Sequence, residues 1–317
     1  MEQSEKSTGN NGSVHQPEDY HIPVMLHEAI DALAIHPSGV YVDCTFGGGG
    51  HSRAILEKLD ENGKLIVFDQ DEDAKKNIPA GEKRMIFVPQ NFRHLQRFLR
   101  LHKQNKVDGI LADLGVSSHQ FDEAGRGFST RFDAALDMRM DTKQKTTAAD
   151  VLQTYTEQQL HKIFEKYGEV TNSKTLAKTI IEQRVIAPFT TISRFKQSLQ
   201  QIVKGNPNKY FAQVFQALRI EVNDEMGALR EMLSQTVEVL KPAGRVAIIT
   251  FHSLEDREVK TFFKNGTFEE PEVDDVFGTK AESPLRIISK KPIVAGEQEL
   301  KLNPRSRSAK LRIAEKK

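Results

Sequence analysis

A short apolar run, Val40–Val42, opens onto Asp43–Cys44–Thr45–Phe46–Gly47–Gly48–Gly49–Gly50–His51–Ser52, and helical spacing follows through Ala54–Leu59. Consecutive glycines between a strand and a helix leave few folds open. They let the backbone approach a ligand closely and turn helix N-terminal amides toward it, as at the carboxyl edge of an open parallel sheet. The next apolar run, Leu65–Phe68, ends at Asp69. A carboxylate there, about 20 residues beyond the glycines, can accept hydrogen bonds from ribose hydroxyls. The dinucleotide pattern G-x-G-x-x-G lacks its third glycine, because that position is Ser52 counted from Gly47 or Arg53 counted from Gly48. No Gly-Lys-Ser or Gly-Lys-Thr follows, so a nucleotide-hydrolase phosphate loop is also missing. A ligand with a ribose and a carboxylate but no phosphate fits better, and S-adenosylmethionine is the expected cofactor.

The alternation continues. Met85–Val88 has strand character, Phe92–Leu101 helical spacing, and Gly109–Ala112 is a fourth apolar run. Strands alternating with helices predict a parallel sheet covered on both faces. After Asp113 the pattern changes to helical spacing over Thr147–Tyr167, Ser173–Arg184 and Ile192–Val203. A helix over Phe215–Leu240, a turn at Pro242–Ala243–Gly244 and a buried strand at Val246–Phe251 then restore the alternation. The final segment is polar and basic, with Pro304–Arg305–Ser306–Arg307–Ser308 reading as a tail. The predicted fold is an α/β Rossmann-like sheet with an inserted helical domain. Residues 19–120 and 214–317 would form the cofactor-binding catalytic domain and 121–213 the insertion, which would recognise substrate. Residues 1–18 have almost nothing to bury and are predicted to be a disordered tail.

With 317 residues and 38% hydrophobic content the chain can bury a sizeable core, and its net charge of +1 is too small for a body that binds nucleic acid by charge alone. Any such binding must use local patches. A lone cysteine, Cys44, allows neither an internal disulfide nor a cysteine metal cluster, and it reads as a small buried hydrophobe. No metal is expected. The polar N-terminus lacks the apolar stretch of a signal peptide and no run approaches the ~20 apolar residues of a membrane span, so a soluble cytoplasmic protein without membrane contact is expected.

Ligands of such sheets lie beyond the strands' carboxyl ends, so three further loops draw attention. Asn91 and Phe92 follow Val88; Asp113 through Gln120 follow Ala112; His252–Ser253–Leu254–Glu255–Asp256–Arg257 follow Phe251. Each has a plainer alternative. Ser253 and Asp256 have capping-box spacing and could simply start a helix; His252 could be a satisfied structural histidine; Phe92 could be core. Asp113 is harder to dismiss, because a carboxylate directly after an apolar strand is costly to leave unpaired.

Taken together, Thr45–His51, Asp113–Ser118, Arg126–Gly127–Phe128–Ser129, Leu136–Asp141, Phe215–Ile220 and Phe251–Arg257 resemble the MraW-type family, the ribosomal RNA small subunit methyltransferases H, from His21 to about the end of the chain. His119, where the family often has proline, and Phe132–Asp133–Ala134–Ala135 depart from its pattern. The resemblance implies N4-methylation of a cytidine in the decoding region of bacterial 16S rRNA, with S-adenosylmethionine as donor. It implies donor contacts from Gly49, Gly50, His51, Asp69, Phe92, Asp113 and Gln120. The partner would be small-subunit rRNA or the assembled small subunit; a homodimer is compatible with the sequence. For the proton leaving the base amine, Asp113 is the first candidate acceptor and His252 and Ser253 the second. Arg126, Arg131, Arg139, Arg219, Arg305, Arg307 and Lys310 are the candidate RNA contacts, since phosphate contacts supply position and much of the affinity. Solvated charges or internal ion pairs are the alternative for each. Methylation of DNA or a small molecule, and a donor-holding assembly factor without turnover, are the competing functions.

Overall fold

The computed structural model describes residues 23–269 and 282–317; the expected tail at 1–18 lies outside the described residues. α1 (Leu26–Ala32) leads into β1 (Val40–Asp43), α2 (Gly50–Lys58), β2 (Lys64–Phe68), β3 (Met85–Val88), α3 (Leu95–Leu101) and β4 (Val107–Asp113). These four strands pair in parallel. α10 (Glu225–Val239), β5 (Leu240–Thr250), α11 (Ser253–Asn265), β6 (Leu285–Ile287), α12 (Glu297–Leu302) and β7 (Lys310–Lys316) complete the sheet side of the molecule. β5 joins β4 in parallel, and β7 runs antiparallel between β5 and β6. The order β3-β2-β1-β4-β5-β7-β6 makes a Rossmann-like α/β sheet, parallel except for β7.

Alternate strand residues face opposite sides of a sheet, and here both sides are covered. Val42, Ile66, Phe68, Ile110, Ala112, Val246 and Ile248 pack with Leu229, Met232 and Leu233 of α10 and Phe262 of α11. Tyr41, Leu65, Val67, Leu111, Ala247 and Ile249 pack with Ala29 and Ile30 of α1 and Ile55 and Leu56 of α2. Burial on both faces explains why these strands read as unbroken apolar runs. Each large side chain contributes about 1.5–3 kcal/mol by leaving water.

The basic C-terminal segment is not a free tail. Lys310–Lys316 form β7, with Leu311 and Ile313 buried on the face shared with Ala247 and Ile249. Arg312 on the other face and Glu315 on the same face as Ile313 are also buried, and ion pairs compensate them: Arg312 to Asp256, Glu315 to Arg245 and Arg286.

Between β4 and β5 lie α4 (Ser118–Asp122), α5 (Ala148–Thr154), α6 (Glu157–Lys166), α7 (Ser173–Ile186), α8 (Ile192–Leu199) and α9 (Pro207–Asn223). From α5 onward they enclose a core of their own around Leu152, Leu160, Phe164, Leu176, Ile180, Phe195, Val214 and Leu218. The helical stretch expected over Thr147–Tyr167 is two helices. Thr147 and Thr156 each open one with a capping box, closed by Asp150 and Gln159, and Tyr155 between them is extended. The helix expected over Phe215–Leu240 is divided at Asp224, whose φ of 46° is left-handed. The expected domain boundary at 213–214 falls inside α9, whose Val214, Phe215, Ala217, Leu218 and Val222 pack with the helical core while Ile220 packs with the sheet core.

Gly127 fixes the turn into this body. It has φ +75°, and a Cβ there would lie 2.5 Å from the Ala135 carbonyl oxygen and 3.0 Å from the Asp137 nitrogen. Gly127→Ala is expected to lower stability by at least about 1–3 kcal/mol, from left-handed backbone cost plus overpacking. Gly125→Ala, where a Cβ meets open space, is the control; thermal unfolding of both variants checks the difference.

Candidate active site

β1, β2 and β4 end side by side, and their carboxyl ends carry Asp43, Asp69 and Asp113. Asp43 is buried and structural: it accepts hydrogen bonds from Ser52 Oγ at 2.6 Å and from the Thr45 amide at 3.0 Å, clamping the glycine loop at both ends. Gly47 and Gly49 have φ of +49° and +73°, and a Cβ on Gly50 would strike Pro23 at 2.2 Å. Three of the four glycines are therefore demanded by the turn and by close packing, while a Cβ on Gly48 would meet open space.

Asp69 receives the Gly47 amide at 2.8 Å and the Asp71 amide at 2.8 Å. Burial outweighs these bonds and pushes its carboxyl up to about 6. Asp113, at the end of the neighbouring β4, is also half-buried. Its backbone amide donates to Thr45 Oγ1 at 2.7 Å, while its Oδ1 is buried with no hydrogen-bond partner. Burial pushes this carboxyl up to about 7; the nearby His51 ring lowers it, and Asp43, Glu255 and Glu299 add to the rise.

His51 explains part of that environment. Its Nε2 lies 3.0 Å from the Val24 carbonyl oxygen, so this nitrogen carries the proton and Nδ1 is left as an acceptor. That Nδ1 lies 3.8 Å from Asp113 Oδ2. Two acceptors facing each other need a proton or a ligand donor between them. The pocket thus offers unfilled acceptors beside glycine-loop amides, and it suits a ligand that brings hydroxyl and ammonium donors.

Gln120 is buried, and both ends of its amide are fixed: Nε2 donates to Asp71 at 2.9 Å, and Oε1 accepts from the Ser117 amide at 3.3 Å. Phe92 stands half-buried just beyond β3 and packs on the core. All seven expected donor contacts therefore lie at or next to the carboxyl edge of β1–β4.

β5 brings the next loop alongside, with Phe251 3.5 Å from the place a Gly115 Cβ would take. His252, not Ser253, caps α11. Its Nδ1 accepts the Glu255 amide at 3.4 Å, and Glu255 reaches back to the Phe251 and His252 amides. The His252 side chain is 8% exposed, with Nε2 3.1 Å from Glu255 but out of line for a hydrogen bond. His252 thus serves as the cap of α11, the plainer of the two roles the sequence offered for it. Ser253 is exposed, and its hydroxyl lies 3.4 Å from Glu169, in the connection between α6 and α7. Glu225, His252 and Glu255 place ligand atoms within 4.8 Å of one another, as a metal would need. Arg219, however, already forks onto both oxygens of Glu225 at 2.7 and 2.9 Å and supplies the cation.

The candidate RNA contacts divide. Arg219 is committed to Glu225; Arg126 pairs with Asp71 and donates to the Arg139 and Met140 carbonyls; Arg139 pairs with Asp137 and with the carbonyls of Thr142 and Gln144. These three hold the protein together and do not present free guanidinium groups, because internal carboxylates meet them first. Arg305 pairs with Asp122, and Lys310 with Asp256. Arg131 and Arg307 are exposed. Sequence reasoning missed Asp71 and Phe121. Arg131 and Arg305 both lie over the Phe121 ring, at 5.8 and 5.5 Å.

The sequence profile of the MraW methylase family matches residues 18–317. A ribosomal RNA small subunit methyltransferase H of Bacteroides thetaiotaomicron is 54% identical over 299 residues, which is 94% of this chain and 98% of that protein. Proteins of the same name from Parabacteroides distasonis (53% over 299 residues, 94% and 97%) and Flavobacterium johnsoniae (53% over 300 residues, 94% and 98%) are similar over the same extent. With likeness of this degree running through the glycine loop, the sheet and the helical body alike, the chain belongs to the MraW methylase family.

Proposed function

We propose that this protein transfers a methyl group from S-adenosylmethionine to N4 of a cytidine in the decoding region of bacterial small-subunit rRNA. The observation that carries the reading is the half-buried Asp113 carboxylate beside the glycine loop, whose Oδ1 is buried without a hydrogen-bond partner and whose Oδ2 faces His51, a site that suits a cationic, hydroxyl-bearing ligand. Kinship with proteins named as small-subunit rRNA methyltransferases supports the choice of substrate.

Gly49, Gly50, His51, Asp69, Phe92, Asp113 and Gln120 would hold the donor, which when bound supplies an electrophilic methyl group. Asp69, which already accepts two amides, has lone pairs left for ribose hydroxyls. The target base leaves its stack, as chemistry on a base generally requires, and enters between the β4 and β5 loops. Its N4 lone pair is delocalised into the ring, so an acceptor for an N4 proton localises it. Asp113 takes that role, and Ser253, exposed on the β5 side, can hold the amine. The helical body to Asn223 would recognise the RNA around the target, in the cytoplasm where ribosomal subunits are made.

The deciding experiment incubates the protein with methyl-labelled S-adenosylmethionine and small subunits lacking the modification, followed by nucleoside analysis. Label in N4-methylcytidine that is lost with Asp69→Ala is the expected result; label in another nucleoside, or none, refutes it. Among the candidate RNA contacts, Arg131 and Arg307 are exposed. Replacing both with Gln is expected to reduce the slope of log affinity against log salt by about 1.4–1.8, at about 0.7–0.9 per lost phosphate contact. Unchanged salt dependence in a binding titration removes them from the interface.

A further inference from the structure

Asp71 is a buried carboxylate that the reading above leaves without a role. It is 7% exposed, yet it meets three different parts of the chain. Its amide donates to Asp69 Oδ1 at 2.8 Å, its Oδ1 accepts the Asp73 amide at 3.1 Å, and its Oδ2 accepts both Gln120 Nε2 at 2.9 Å and Arg126 Nη1 at 3.0 Å. Gln120 begins nothing on its own: with Oε1 held by the Ser117 amide, its amide plane is set by Asp71, and one Nε2 proton is left over. Ser117 in turn touches the glycine loop, its Cβ lying 3.7 Å from the place a Gly47 Cβ would take. On the other side Arg126 carries the connection outward to the Arg139 and Met140 carbonyls, each at 3.0 Å, and the Met140 amide donates to Asn223 at the end of α9 at 2.7 Å.

A side-chain amide that must aim one donor at a ligand gains from having its other groups fixed, because less freedom is lost on binding. We propose that Asp71 is a positioning residue that aims Gln120 into the donor pocket and, through Arg126, anchors the helical body to the same point. The proposal rests on the reading of Gln120 as a donor contact.

The test is a double-mutant cycle on S-adenosylmethionine binding by calorimetry, with Asp71→Ala, Gln120→Ala and the double variant, and thermal unfolding of each. Each single change is expected to weaken the donor by about 5- to 30-fold, the effect of one such hydrogen bond. The double variant should lose no more than the worse single, because Asp71 acts through Gln120. Asp71→Asn, which keeps the shape and one acceptor, should recover part of the affinity, and it stands in if the alanine variant fails to fold. Losses that multiply in the double variant would overturn the proposal, as would wild-type donor affinity in Asp71→Ala. If Gln120→Ala alone leaves donor affinity intact, the donor reading of Gln120 falls, and the proposal with it.

Discussion

Asp113→Asn is expected to raise the melting temperature at pH 8 while weakening S-adenosylmethionine about 10- to 150-fold, the worth of a hydrogen bond to a charged group. Both effects come from one displaced equilibrium. The folded carboxyl titrates near 7 because burial penalises its charged form. In the unfolded chain it ionises near the ordinary value of 3.8. Between those pH values the unfolded chain has lost a proton that the folded chain keeps. The contribution of this group to stability is therefore complete below about 4, declines as pH rises toward 7, and is flat above. Asparagine carries no charge to desolvate, and its amide can donate to His51 Nδ1, so the penalty disappears. Donor affinity runs the other way in the wild-type protein, rising with pH through about 7 as Asp113 becomes an anion. Calorimetry at pH 6 in two buffers of different ionisation enthalpy should show proton release on donor binding that is absent at pH 8 and in the variant. Wild-type affinity in Asp113→Asn would remove this carboxylate from the donor site.

Deletion of residues 304–317 is expected to abolish folding. The deletion removes β7, strips β5 of its antiparallel partner and leaves β6 unattached. It also removes the packing of Leu311 and Ile313 and leaves half-buried Asp256 without Arg312. Aggregation or a non-cooperative melt is the expected result. Ile313→Ala, a milder change, should cost about 2–5 kcal/mol in denaturant unfolding. A soluble truncation that melts like the full chain would refute the structural role of β7. The contribution of Arg305, Arg307 and Lys310 to RNA binding must therefore be measured by neutralising them singly, since truncation would confound affinity with folding.

The two halves of the sheet differ in how clearly they were written. β1–β4 are buried on both faces, so their runs of Val, Ile, Leu and Phe stand out against polar connections, and β3 matches its expected span of Met85–Val88. β7 is Lys-Leu-Arg-Ile-Ala-Glu-Lys. Its charges are neutralised by partners far away in the chain, Asp256, Arg245 and Arg286, and no local window shows that. Similarly, Asp224 in a left-handed conformation divides α9 from α10 without a glycine or proline to announce it. Around the pocket, Asp69 and Asp113 were legible because acids ending apolar strands are costly unless used. Asp71 was not, since its significance comes from Gln120 and Arg126, which only the fold brings to it. The same holds for Arg126, whose carboxylate partner Asp71 is 55 residues away; Arg139 and Arg219 pair with Asp137 and Glu225, near in sequence, but only the local backbone geometry brings those charges together.

The position of β7 also dictates an order of assembly. Synthesis delivers β6 before β7, yet among the described residues β6 pairs with β7 alone, so it must wait as an unpaired segment until the later strand inserts between it and β5. The helical body, closed by contacts among neighbours in sequence, can consolidate earlier, because local contacts form faster than distant ones. During that interval β5 carries an open edge of apolar backbone, the kind of surface on which chains pair with one another. The same seven residues that finish the sheet therefore set how long the nascent protein is exposed to aggregation.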